Sequence, residues 1–177
     1  MKLIIRGIGM WIVPSTFIVL ATFGAASCAT LKCDSGQKET KMTTGKQFIA
    51  KGTFAVRMAP QDDGDSGAGV TMGRMSLDKD FTGDLTGTGK GEMLTAMSPA
   101  KGSAAYVAIE RVIGTVHGRS GSFALVHRGL MDKGAQDLSI VIVPDSGTDA
   151  LTGITGKFMI DVREGSHFYT LEYILPR

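Results

Sequence analysis

From Phe48 to the C-terminus, apolar residues recur at every second position far more often than at the 3.6-residue spacing of a helix. The alternation falls into segments at 50–58, 70–82, 84–96, 102–116, 119–131, 136–143, 156–163 and 166–175 and predicts eight β-strands. The links carry turn chemistry: Asp62-Asp63-Gly64-Asp65-Ser66-Gly67, Thr82-Gly83-Asp84, Ser98-Pro99, Asp132-Lys133-Gly134, Pro144-Asp145-Ser146-Gly147 and Glu164-Gly165. Only 144–155 leaves room for a helical turn. Eight successive strands with short links predict an all-β fold, an eight-stranded antiparallel closed barrel. Such a barrel has no open edges, and its lumen can hold side chains or one small ligand.

Two segments break the simple alternation. In 102–116, Tyr106, Ala108 and Val112 share one parity while Val107, Ile109 and Ile113 share the other. Leu138-Ser139-Ile140-Val141-Ile142-Val143 repeats the pattern. An antiparallel strand with one wet face alternates cleanly, so two apolar faces imply a covered outer wall and a homo-oligomer.

The first 27 residues read differently. Lys2 and Arg6 precede an apolar run from Gly7 to Ala26, which ends in Ala25-Ala26-Ser27-Cys28. A basic start, an apolar run and small residues form a secretory signal peptide. The small residues before Cys28 resemble a bacterial lipobox, with Cys28 as the lipidated first residue, although Ala25 stands where such motifs prefer leucine. Cleavage without lipidation and an uncleaved anchor are the alternatives. All three put the rest of the chain outside the cytoplasm, periplasmic or anchored to the membrane. Residues 28–47, rich in Lys, Thr, Ser and Gly, read as a linker or tether. The barrel domain is then 48–177.

Composition agrees with this organisation. A chain of 177 residues with 43 % hydrophobic and 20 % charged residues suits one packed domain, and argues against disorder or a polytopic membrane protein. The 24 glycines are scattered, as turns and closely packed strands require. The net charge of +2 includes Lys2 and Arg6, so the exported part is neutral and has no bulk attraction for nucleic acid. Both cysteines, Cys28 and Cys33, precede the barrel, which must fold by packing alone.

Several motifs fail on spacing. Asp84-Leu85-Thr86-Gly87-Thr88-Gly89-Lys90-Gly91 fits neither phosphate-loop pattern, and its glycines read as a face that bends sharply or admits a close neighbour. Gly64-Asp65-Ser66-Gly67 looks like a protease serine stretch, but no histidine precedes His117. His117, His127 and His167 lack metal-motif spacing, and neither a metal nor another cofactor is expected.

The informative region is 102–131. If His117-Gly118 is a two-residue hairpin turn, Glu110 opposes Leu125 and Ala108 opposes His127. Tyr106, Glu110, Phe123 and His127 then share one face, with Glu110 and His127 diagonal neighbours. A carboxylate, an imidazole and a phenol facing an apolar lumen would orient a ligand or move a proton. A three-residue turn would instead put Glu110 and His127 on opposite faces. In 166–175, Glu172 shares a parity with Phe168 and Ile174 and is either a second lumen acid or an interface residue.

Motifs in a fixed order also carry a family resemblance. Met75-Ser76-Leu77-Asp78-Lys79, Lys90-Gly91-Glu92-Met93, Tyr106-Val107-Ala108-Ile109-Glu110-Arg111, His117-Gly118-Arg119-Ser120-Gly121-Ser122-Phe123, Val143-Pro144-Asp145-Ser146-Gly147-Thr148 and His167-Phe168-Tyr169 resemble the bacterial domain-of-unknown-function 3224 family. The resemblance spans about 50–176. It implies an eight-stranded barrel similar to plant allene oxide cyclase, a fold shared with dirigent proteins, and it supplies no established activity or catalytic residue. The export segment is a departure from the family pattern.

The leading expectation is therefore an exported barrel that binds a small apolar or amphipathic molecule at the Tyr106/Glu110/His127 face. The alternatives are an isomerase- or cyclase-like enzyme using the same lumen, and a structural or partner-binding envelope module.

Overall fold

The computed structural model describes residues 45–176. The signal segment, Cys28, Cys33 and the linker up to residue 44 lie outside the described residues. Nine strands follow in order: β1 (Lys46–Pro60), β2 (Asp65–Gly67), β3 (Val70–Gly83), β4 (Leu85–Met97), β5 (Ala104–Val116), β6 (Arg119–Asp132), β7 (Ala135–Ile142), β8 (Thr155–Arg163) and β9 (Ser166–Leu175). Eight of them correspond to the segments read from alternation. The first strand starts earlier than expected, because Lys46 and Gln47 already pair with Leu175 and Ile174 of β9. The three-residue β2 lies in what reads as turn sequence and pairs only with the start of β3.

Each strand pairs antiparallel with its neighbours, and β1 pairs with both β9 and β3, closing an eight-stranded barrel. His117 and Gly118 both have positive φ, as a two-residue primed turn demands. Glu110 accordingly opposes Leu125, and Ala108 opposes His127, which is the register that joins the candidate residues on one face. Lys133-Gly134 and Glu164-Gly165 turn their hairpins in the same way.

Closure needs strong coiling, and the glycine row of β4 supplies it. A Cβ at Gly87 would lie 2.2 Å from the Ile113 carbonyl oxygen, and one at Gly91 2.2 Å from that of Ile109. No side chain fits between β4 and β5 there, so the segment is a bend in the wall.

The lumen is filled at one end only. Phe81, Leu85, Val112, Val116, Phe123, Leu125, Phe158, Leu171 and Tyr173 form a buried core. The link after β7 seals this end. It hydrogen-bonds along β6 (Val143 N to Ala124 O, Thr148 N to Ser122 O), makes a 3-10 turn at Asp149–Leu151, and buries Leu151 and Ile154. Tyr169 ties the β3–β4 turn to the core, its hydroxyl accepting the buried Leu85 N–H at 2.8 Å. Tyr169→Phe strands that donor and should cost about 1–3 kcal/mol in chemical denaturation; an unchanged midpoint would show the bond to be idle.

The wall is thinnest between β7 and β8, which are joined by a single bridged pair, Val141 with Lys157. On the outside, Leu94, Val107, Ile109 and Val126 form a contiguous apolar surface across β4–β6. Val107, Ile109 and Ile113 are each more than half exposed in the single chain.

Candidate functional site

The opposite end of the lumen holds the site. On β3 the inward parity runs Leu77, Lys79, Phe81, so an ammonium stands in an apolar row. On β5 it runs Ala108, Glu110, Val112, and on β6 Phe123, Leu125, His127. Lys79 is 3 % exposed, Glu110 0 % and His127 3 %.

Lys79 and Glu110 sit on strands separated by β4, roughly 9.5 Å apart at two strand spacings. They meet because β4 presents Gly89 and Gly91 where side chains would otherwise intervene. Lys79 Nζ donates to Glu110 Oε2 at 2.7 Å. His127 Nε2 lies 3.1 Å from the same oxygen, within ion-pair range but without the alignment of a hydrogen bond. Glu110 Oε1 is also buried without a partner, beside Gly89. The rings of Phe54, Phe81 and Phe158 surround Lys79 Nζ at 4.9, 5.8 and 5.9 Å, so the cation gains quadrupole attraction where water is excluded.

Burial is the largest influence on the Glu110 carboxyl and pushes its pKa up. His127 and the Lys79 ammonium together outweigh it, and the carboxyl ends below its ordinary range. Ionised Glu110 therefore stabilises the fold above the usual carboxylate range, and that contribution is lost as pH falls through the lowered value.

Above this cluster is a cavity of about 360 Å³. Lys79, His127 and Ala108 lie at its base, and Phe54, Val56, Leu77, Tyr106 and Ile160 line its wall. Met58, Met93, Met97 and Met131 are distributed around it, with Met58 and Met97 about half exposed at the rim. Methionine-rich linings adapt to ligands of varied shape. Leu138 of β7 and Ile160 and Val162 of β8 also line it, so the cavity borders the weakly joined seam.

The family of proteins of unknown function designated DUF3224 matches residues 50–173, more than half of the chain. The chain belongs to the DUF3224 family. A crystal structure of a DUF3224 protein of unknown function from Shewanella oneidensis MR-1 is 42 % identical, with a TM-score of 0.71 over 75 % of this chain and 100 % of that one. No curated protein matches the chain significantly. The matched region contains the whole Lys79/Glu110/His127 cluster of this DUF3224 barrel.

Of the residues singled out from sequence, Glu110 and His127 meet at the cavity base, and Tyr106 lines the wall above them. The Tyr106 ring lies over Gly129, its partner on β6, where a Cβ would come within 2.1 Å of the ring. Burial pushes the Tyr106 phenol pKa up. Phe123 shares the expected face but sits in the packed end, away from the cavity lining. Glu172 is not a lumen acid, and of the two positions its parity left open it takes the outer one. It points outward between Ile49 of β1 and Lys157 of β8, because the inward parity of β9 belongs to Tyr169, Leu171 and Tyr173. Sequence reasoning missed Lys79 as a site residue; its signal was a lysine between Leu77 and Phe81 on the apolar parity.

Proposed function

We propose that this DUF3224 barrel binds a small apolar or amphipathic molecule, its chain in the cavity and its polar end toward Lys79 and His127. The observation that carries the reading is a half-filled lumen, with one end packed solid and the other left as an apolar cavity on a buried polar base. Its volume suits a small ligand, and its few convergent polar groups suit orientation. The seam between β7 and β8 supplies a route for a long chain.

A titration tests it. Decanol should bind the full-length chain with one saturable site and a negative heat-capacity change. Ala108→Trp, which fills the cavity from its base, should weaken binding by about tenfold or more, since apolar burial is lost. Equal binding by both proteins would remove the cavity from the argument.

The buried acid–base pair also supports a second reading, an isomerase- or cyclase-like reaction on the same bound molecule. Conversion of a bound candidate by wild type but not by Glu110→Gln would favour it over simple retention.

Export and self-association complete the proposal. The basic start, apolar run and Cys28 support a periplasmic or lipid-anchored protein, and membrane fractionation decides between these. The bare apolar wall around Ile109 supports a homo-oligomer, whose copy number native mass would give.

A further inference from the structure

The cluster has a feature that simple binding leaves unused: a primary amine buried at the base of an apolar cavity. Its charges also restrict the ligand. Lys79 is already paired with Glu110 at 2.7 Å, so its ammonium is not free to neutralise an anionic head group. A neutral, electrophilic carbonyl is the polar end that fits an amine in such a site. Lysines held in apolar surroundings beside an acid–base partner are suited to imine chemistry.

We propose that Lys79 captures an apolar aldehyde as a Schiff base, with Glu110 as its counter-ion and His127 as the proton carrier. This rests on the cavity-binding reading above and names its ligand class. Glu110 Oε2 lies between the other two groups, 2.7 Å from Lys79 Nζ and 3.1 Å from His127 Nε2. With the His127 ring turned to align Nε2 on Oε2, the ammonium passes one proton by way of Oε2 to His127. The free amine attacks the aldehyde carbon, forming the C–N bond as the carbonyl π-bond opens. The oxygen takes up the proton held by His127, giving a carbinolamine. The carbinolamine nitrogen then gives up its second proton through Glu110 Oε2 to His127, which passes it to the hydroxyl, and water leaves as the C=N bond forms. Amine and aldehyde thus give imine and one water, with no electrons exchanged. Protonated, the imine keeps the positive charge that Glu110 already balances. Glu110 Oε1 and His127 Nε2, both buried without a hydrogen-bond partner, leave the cluster with capacity for the added hydroxyl.

The test uses the full-length chain, substoichiometric decanal and cyanoborohydride, followed by peptide mapping, with decanol as the unreactive control. The decyl group should appear on Lys79 about tenfold more often than on any other lysine, because the bound aldehyde is held beside that amine. Excess decanol should suppress this label but not the sparse surface labelling. Lys79→Arg, checked for folding by circular dichroism, should lose the selective label. Labelling spread evenly over the lysines, with decanol still bound, overturns the Schiff-base proposal and leaves the cavity reading standing. Even labelling with no decanol binding overturns both.

Discussion

Replacing Glu110 with alanine should destabilise the barrel by about 3–5 kcal/mol, because it leaves the Lys79 ammonium buried and unpaired. Lys79 is 3 % exposed, with three phenylalanine rings and the β4 backbone around it. Replacing both charges, as Lys79→Met with Glu110→Leu, should recover most of the loss or exceed wild type, since well-packed apolar pairs often match a buried ion pair. Urea unfolding of wild type, Lys79→Met, Glu110→Leu and the double variant measures this directly. If the double variant is as unstable as the sum of the singles, the pair is not an electrostatic unit. Acid should mimic the single change. As pH falls through the lowered value of Glu110, its carboxylate is neutralised, and wild type should lose stability that the double variant does not.

Gly89→Ala should destabilise, reversing the usual sign. In a strand, alanine is ordinarily favoured over glycine by about 0.5–1 kcal/mol. At Gly89 the added Cβ would lie 2.0 Å from Glu110 Oε1 and 3.1 Å from the Phe81 ring. The carboxylate cannot swing away without releasing Lys79 and His127, so a loss of about 1–3 kcal/mol is expected. In the Lys79→Met, Glu110→Leu background the penalty should change markedly, since the carboxylate it displaces is gone; the double-mutant cycle reports that coupling. A stabilised Gly89→Ala protein would show that the glycine does not make room for the acid.

These two residues also mark the limit of what the amino-acid pattern reveals. The strands were legible because one face of each is buried and the period-two contrast is strong, as in Tyr169, Leu171 and Tyr173. The Glu110–His127 relation was legible too, since it depends only on a two-residue turn at His117-Gly118. Lys79 was not, because it reaches Glu110 across an intervening strand and 31 residues of chain. Local register carries no information about that contact. Phe123 was assigned to the correct face, but a parity cannot say which end of a lumen is packed. Glu172 was ambiguous because β9 carries large apolar residues on both parities, with Phe168 and Ile174 opposed to Leu171 and Tyr173.

The half-filled lumen is the central claim, and the methionines provide internal probes of it. Methyl NMR of the full-length chain during a decanol titration tests it most directly. Met58, Met93, Met97 and Met131 line the cavity, whereas Met72 and Met159 lie exposed on the outer wall. The first four signals should shift together and saturate with one equivalent of ligand, while those of Met72 and Met159 stay in place. Shifts confined to Met72 and Met159, or no saturable change at the four lining residues, would contradict a ligand cavity in the open end of the barrel.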